Sequence, residues 1–298
     1  MMPSTHRRAW SLALGVGAAL AMACAPRIPQ PAPAVAAAPA SMRVLVLNMH
    51  AGMDVNGQSN LDSVAALVRD VRADLVLLQE VDSVVRRSGG VDQPAELARR
   101  TGLHAVFGSS LNFQGGEYGI AVLSRWPVAE HAAMHLPVAP PQERSGGSME
   151  PRTALHVQVT TPSGPLYVLN THLDPSGDDH WRRQEADSVL AYARRLAAAG
   201  ATVLVGGDFN STPESAVQQR LRDGGLRDLW LACGQGEGLT YPAADPVKRI
   251  DYLYALDPER DPALGATGCE RAEVLLSQAS DHRAVLFVGV GHARAGAP

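Results

Sequence analysis

The chain has 298 residues, 46% hydrophobic and 19% charged, which excludes collagen-like and globally disordered classes and leaves enough apolar material for a sizeable core. Its formal net charge is −4, but residues 1–41 hold Arg7, Arg8 and Arg27 and no acid, so residues 42–298 carry 23 basic and 30 acidic side chains, a net of −7. With Lys248 the sole lysine, that body is a poor non-specific binder of nucleic acid, an affinity that comes from Lys and Arg neutralising phosphates; phosphate binding through a metal ion stays open.

In chain order, His6-Arg7-Arg8 is a basic start and Trp10 to Ala23 is an uncharged apolar run. The run falls short of the roughly 20 residues a membrane span needs, and reads as the core of an export signal over residues 1–23. The string Leu20-Ala21-Met22-Ala23-Cys24 allows two endings: cleavage after Ala21-x-Ala23, or acylation of Cys24 as in a bacterial lipoprotein. Acyl chains would hold the protein on a membrane, periplasmic or at the outer membrane; otherwise it is secreted. Residues 24–41 are nearly all Ala and Pro, cannot build a core, and read as an extended linker. Export implies oxidising surroundings, where Cys233 and Cys269 are either a bridge worth roughly 3–4 kcal/mol or two buried thiols.

Residues 42–298 show no internal linker and read as one domain. Arg43 to Asn48 is a buried strand, and Asn60 caps a helix whose apolar positions Leu61, Val64, Ala65, Val68 and Val71 share a face. Leu75 to Gln79 is a second buried strand, and Pro94 opens a helix through Arg100. Further strands are predicted at Gly119–Ser124, Ala154–Thr160, Leu166–Asn170, Thr202–Val205, Ile250–Ala255 and Ala284–Val288. Helices are predicted at Asp178–Ala199 and, starting after Pro213, at Glu214–Arg222. Such interleaving implies layered α and β structure, with helices covering sheets.

Polar residues gather at the ends of these strands. Asn48-Met49-His50, Gln79-Glu80, Asn170-Thr171-His172-Leu173-Asp174 and Asp208-Phe209-Asn210 follow apolar runs. Asp251 begins a strand, and Asp281-His282 precedes the last one. Each has a plain alternative in a turn or a satisfied buried group. Six such places have a simpler common cause, one pocket rimmed by strand ends, because buried acids and amides are costly without partners. Oxygen ligands with few soft ones suit Mg²⁺, Mn²⁺ or Ca²⁺. The sequence has no HExxH or paired CxxC motif, no Walker loop and no GxSxG elbow.

The strings LNMH, LLQEVD, GGEYGIAVLSRWP, NTHLD, GGDFNSTP, RIDYLYA and SDHRAV, in this order, resemble the endonuclease/exonuclease/phosphatase superfamily. Its members include pancreatic-type deoxyribonuclease, abasic-site endonucleases, neutral sphingomyelinases and inositol-polyphosphate phosphatases. The resemblance implies an α+β fold, a four-layer α/β/β/α sandwich of two facing mixed sheets flanked by helices, with the site at one end. It implies metal ligands at Glu80, Asn48 and Asp281. Asp208 and Asn210 would orient the attacking water and hold the phosphate, or bind a second metal. Asp251 and His282 would form a carboxylate–imidazole pair with His282 as base or phosphate donor, and His172 would be the acid for the leaving oxygen. Arg152 would touch phosphate, Tyr118 and Asn170 would join it in substrate binding, and His50 would support the site. Abasic-site endonucleases usually carry a tyrosine where His172 stands.

The implied chemistry is metal-dependent hydrolysis of a phosphodiester or phosphomonoester by in-line water attack. An exported enzyme acting on a lipid head group or small phosphoester fits the anchor and the acidic body. The alternative is a secreted or anchored endonuclease acting on DNA or RNA, with Arg182, Arg183, Lys248 and Arg249 as a cationic rim. A non-catalytic binding protein of this fold is a third reading, opposed by the intact set of site residues. No obligate protein partner is evident.

Overall fold

A computed structural model describes residues 42–142, 147–162, 164–257 and 267–292. The expected signal (1–23), linker (24–41) and Cys24 lie outside the described residues. Among the described residues no helix is long and apolar enough to cross a membrane.

The first half of the chain builds β1 (Met42–Asn48), α1 (Leu61–Asp70), β2 (Leu75–Ser83), α2 (Gln93–Thr101), β3 (His104–Phe113), β4 (Gly116–Ser124) and β5 (Val128–His135). There follow β6 (Thr153–Thr161), β7 (Gly164–His172), α3 (His180–Ala198), β8 (Thr202–Asp208), α4 (Ala216–Asp223), β9 (Arg227–Asp228) and α5 (Leu229–Cys233). The chain closes with β10 (Asp251–Leu256), β11 (Thr267–Gly268), β12 (Arg271–Val274) and β13 (Val285–His292). One mixed sheet runs β11-β13-β1-β2-β4-β3, with β12 also on β13; the other runs β5-β6-β7-β8-β10-β9.

Alternation along the strands explains the layers. Val44, Val46, Leu75, Leu77, Ile120 and Val122 of the first sheet meet Leu155, Val157, Val168, Leu204 and Leu253 of the second in one core. The intervening residues turn outward: Leu45, Leu47, Val76 and Leu78 pack on Leu61, Val64, Val68 and Leu97 of α1 and α2. Leu169, Val203, Val205 and Tyr252 pack on Ala186, Val189, Ala193, Val217 and Leu221 of α3 and α4. Central strands buried on both faces must be apolar throughout, which is why they read as unbroken runs. Three apolar layers separate four layers of structure, the expected α/β/β/α sandwich.

Local chemistry departs from expectation in places. Asn60 precedes α1, but its amide bonds to the carbonyls of Met49, Met53 and Ala279 rather than capping the helix. The helix after Pro213 starts later, at Ala216, because Ser215 accepts the N–H of Gln218. Cys233 and Cys269 are bridged, with Cα atoms 5.8 Å apart. The sequence pattern missed β3, β5, α5 and the short strands β9, β11 and β12.

The topology sets the site. β1 and β2 run parallel, as do β7 and β8, so these four strands finish at one end of the sandwich. β10 is antiparallel to β8 with Asp251 opposite Asp208, and β13 is antiparallel to β1 with Val285 opposite Val46. Both partners therefore start where the parallel strands stop.

Candidate active site

Local irregularities at that end place several of the site residues. In β2 the register against β4 slips between Leu78 and Val81, and Glu80 sits in the bulge at φ 53°. A non-glycine residue is uncommon there, and the bulge re-aims its side chain. Asp208 follows Gly207, whose φ is 138° and where a Cβ would stand 1.9 Å from the Thr171 carbonyl oxygen. Only glycine lets β8 lie that close to β7 beneath the carboxylate. Asn210 (φ 47°) and His50 (φ 51°) also hold left-handed backbone. Such strain clusters at functional sites.

Asp208 is the centre. Its Oδ2 lies 3.6 Å from Nε2 of His172 and 3.6 Å from Nε2 of His282, and accepts Nδ2 of Asn48 at 3.1 Å. Its Oδ1 accepts the backbone N–H of Asn210 at 2.9 Å. Asn48 also donates to Glu80 Oε1 at 3.0 Å, while its Oδ1 accepts the His50 N–H at 3.0 Å. One amide thus joins carboxylates from the two sheets. Burial, then the facing Asp251, pushes the Asp208 carboxyl up to about 7.

The two histidines are backed by opposite charges. His282 Nδ1 is 3.0 Å from Asp251 Oδ2. Burial opposes charging of the ring, but Asp251 and Asp208 overcome it and raise His282 to about 10. Its ring packs on Tyr241, centroids 4.8 Å apart. His172 Nδ1 instead meets NH1 of Arg152 at 2.8 Å. Burial and then that guanidinium hold His172 well below the usual imidazole range. A guanidinium can only donate, so Nδ1 accepts and the proton sits on Nε2. This neighbour works against charging the ring and so against the acid role that the resemblance implies.

Other expected residues fall as follows. Ser280 Oγ lies 2.7 Å from the Asn48 carbonyl and 3.2 Å from Asp281 Oδ1, tying the Asp281–His282 loop to the end of β1. Asn210 donates Nδ2 to the Leu173 carbonyl, leaving Oδ1 as its remaining acceptor. Asn170 is a correction: its amide accepts from Gln79 and donates to the Leu78 and Ala121 carbonyls, so it braces the sheets beneath the site and does not face substrate. Arg152 is 3% exposed, with NH1 shared between His172 and Glu150 Oε1 (2.8 Å). Its visible action is on His172. Tyr118 is buried under the Arg87 guanidinium, 5.1 Å from its ring centroid, and burial with the nearby Glu80 and Glu150 keeps its phenol protonated. Glu150, Ser280 and Tyr241 were missed; they lie in loops without periodic pattern.

The cationic rim is also corrected. Arg182 is buried and donates to Asp179 and to the Asp174 and Ser176 carbonyls. Arg249 is buried against Asp228 at 2.8 Å. Arg183 lines a hollow with Asp178, Asp179 and Asp187, whereas Lys248 lines a different one with Glu214 and Val247.

The donor set fits a divalent cation. One ligand atom each from Asp208, Asp251 and His282 lies within 4.8 Å of the others. Asp251 Oδ1 is buried without a hydrogen-bond partner among the described residues. Mutually repelling buried carboxylates are relieved by a hard cation.

Comparison with known proteins agrees with this geometry. The chain is 27% identical over 224 residues to the uncharacterized protein YbhP of Escherichia coli, covering 72% of this chain and 84% of that one. An endonuclease/exonuclease/phosphatase structure from Beutenbergia cavernae superposes with a TM-score of 0.65 at 24% identity, over 84% of this chain and 72% of its own. A mannosyl-6-phosphatase from Bacteroides thetaiotaomicron superposes with a TM-score of 0.67 at 17% identity, over 83% and 98%. The sequence profile of the Endonuclease/Exonuclease/phosphatase family matches residues 48–282, most of the folded body, and the chain belongs to that family.

Proposed function

We propose that the chain is an exported, divalent-metal-dependent phosphoester hydrolase acting on a lipid head group or a small phosphoester. The observation that carries the chemistry is Asp208 Oδ2 standing 3.6 Å from the Nε2 atoms of two differently charged histidines. A buried carboxyl raised to about 7 is poised to take a proton from water near neutrality. Asn210, bonded to Asp208 through its backbone, offers its amide oxygen to the same water. Charged His282, backed by Asp251, donates to a phosphate oxygen and is the group able to protonate the leaving oxygen. Neutral His172 donates its Nε2–H to the phosphoryl oxygens and so stabilises the charge that builds there.

A divalent ion would be held by Glu80, Asn48 and Asp281, the set that the family resemblance implies; the Asp208, Asp251 and His282 cluster would take an ion only in place of the His282 proton. It would supply Lewis-acid stabilisation of the phosphoryl oxygens. Mannosyl-6-phosphatase activity in a structural neighbour supports the hydrolase class. The acidic body and the internal pairing of Arg182 and Arg249 favour small or lipid phosphoesters over nucleic acid. The apolar run and Cys24 support export with a lipid anchor.

The test is an assay of the full chain with Mg²⁺, Mn²⁺ or Ca²⁺ on a generic phosphodiester, a phosphomonoester, sphingomyelin, RNA and plasmid DNA. Head-group or small-ester release that stops with chelator is expected. Chelator-sensitive plasmid or RNA cleavage without such release would transfer the protein to the nuclease reading. Absence of turnover on every substrate would remove the hydrolase reading.

A further inference from the structure

The surroundings of His172 form a closed ring of contacts that the hydrolytic scheme does not use. The chain leaving β7 after His172 reaches Asp174, which is fully buried. Asp174 Oδ2 accepts the Met149 N–H at 2.6 Å and Oδ1 accepts the Ser176 N–H at 2.8 Å. Met149 is held at φ 62°, a strained conformation for a side chain of its size. The next residues, Glu150 and Arg152, are both buried and paired at 2.8 Å. Arg152 then returns to His172 Nδ1 at 2.8 Å. Behind the ring of contacts, Glu185 of α3 accepts the Asp174 N–H at 2.7 Å and fixes that segment to the helix layer.

We propose that Asp174, Met149, Glu150 and Arg152 are a positioning device that fixes His172 as the Nε2–H tautomer aimed at Asp208. The proposal rests on His172 belonging to a hydrolytic site. A neutral imidazole offers one donor and one acceptor, and the group at one nitrogen decides the role of the other. A carboxylate behind the ring, as at His282, would demand Nδ1–H and favour imidazolium. A guanidinium demands a bare Nδ1 and leaves Nε2–H as the only outward face. Glu150 keeps the guanidinium in place, and the Asp174–Met149 bond keeps the segment from drifting. Arg152 acts here through His172, so it is a positioning residue in this role.

The test uses the full chain labelled with ¹⁵N-histidine, with the His172 signals identified by their loss in His172→Gln. In the wild type at neutral pH, His172 should show a protonated Nε2 and an unprotonated, hydrogen-bonded Nδ1. Arg152→Met should shift the Nδ1 signal and let Nδ1–H appear, and kcat should fall on the order of 10- to 100-fold without a matching rise in KM. Arg152→Lys, which can still donate to Nδ1, should recover part of both. A wild-type ring protonated on Nδ1 would overturn the proposal. So would ring signals unchanged in Arg152→Met, or a raised KM with unchanged kcat. Should Arg152→Met not fold, the wild-type spectrum and Arg152→Lys decide. A wild-type ring in the expected form, with no turnover of any phosphoester, would remove the hydrolase reading and leave the positioning device standing.

Discussion

The two lips of the site are near mirror images in geometry and opposites in electrostatics. His282 and His172 present Nε2 to the same Asp208 oxygen at 3.6 Å, one from the loop before β13 and one from the end of β7. Asp251 stands behind the first and Arg152 behind the second. The same side chain therefore becomes a charged donor on one lip and a neutral donor on the other. The difference comes from the neighbour at Nδ1, not from exposure, since both rings are 5% exposed. A pair of identical imidazolia would repel each other across Asp208; unlike protonation states let both face it.

This asymmetry can be broken from either side. His282→Gln removes the charged donor, and turnover should fall by about 10³- to 10⁴-fold, whereas His172→Gln removes a neutral one and should cost about 10²- to 10³-fold. Equal losses in steady-state assays of the two variants would contradict the assigned difference. Asp251→Asn sharpens the contrast further. His282 is raised from 6.5 to about 10, so the native ring stays charged through neutrality and loses its charge as pH rises through about 10. Turnover should therefore decline on the alkaline side near 10. In Asp251→Asn that decline should move toward the ordinary imidazole range, and a pH profile that stays in place would count against the pair.

The smallest effect concerns stability. Glu185 is raised from 4.5 to about 7, chiefly by burial, and its Oε1 has no hydrogen-bond partner among the described residues. A carboxyl with a raised folded pKa stabilises the fold fully below 4.5, and that contribution is lost as pH rises through about 7. Denaturant unfolding of the wild type should lose up to ~3 kcal/mol across this window from Glu185 alone. Glu185→Gln should lack that dependence and be more stable than wild type above pH 7. An unchanged slope in the variant would show that Glu185 ionises without penalty.

The sequence carried the fold where physics forces a pattern. β1, β2, β7, β8 and β10 are covered on both faces, so each reads as an apolar run that stops at a polar residue. Those boundaries are the site: Asn48, His172 and Asp208 end strands and Asp251 begins one, whereas Glu80, read as an end, sits in a bulge of a β2 that runs on to Ser83. β5 was not legible, because its outer residues such as Glu130, His131 and Ala132 are exposed and no alternation survives. β9 and β11 have two residues each, too few for a period. Asn170 read as a site residue because it shares the strand end, yet its neighbours across the sheet interface use its whole amide. Arg182 and Arg249 read as surface charge, since a linear string does not show which acids fold onto them. The role of Glu150 depends on residues 149–152 meeting Asp174 and His172, distant in sequence, and periodicity has no access to that.

The most direct test is Asp208→Asn in the full chain, assayed with bis(p-nitrophenyl) phosphate over a Mg²⁺ titration. The substitution keeps shape and removes the carboxylate shared by both histidines. Turnover should fall on the order of 10³-fold or more at every Mg²⁺ concentration, with thermal unfolding no lower than that of the wild type, because the ionised buried carboxylate costs stability above its raised pKa. Near-normal, chelator-sensitive turnover by Asp208→Asn would contradict the placement of Asp208 at the centre of the chemistry.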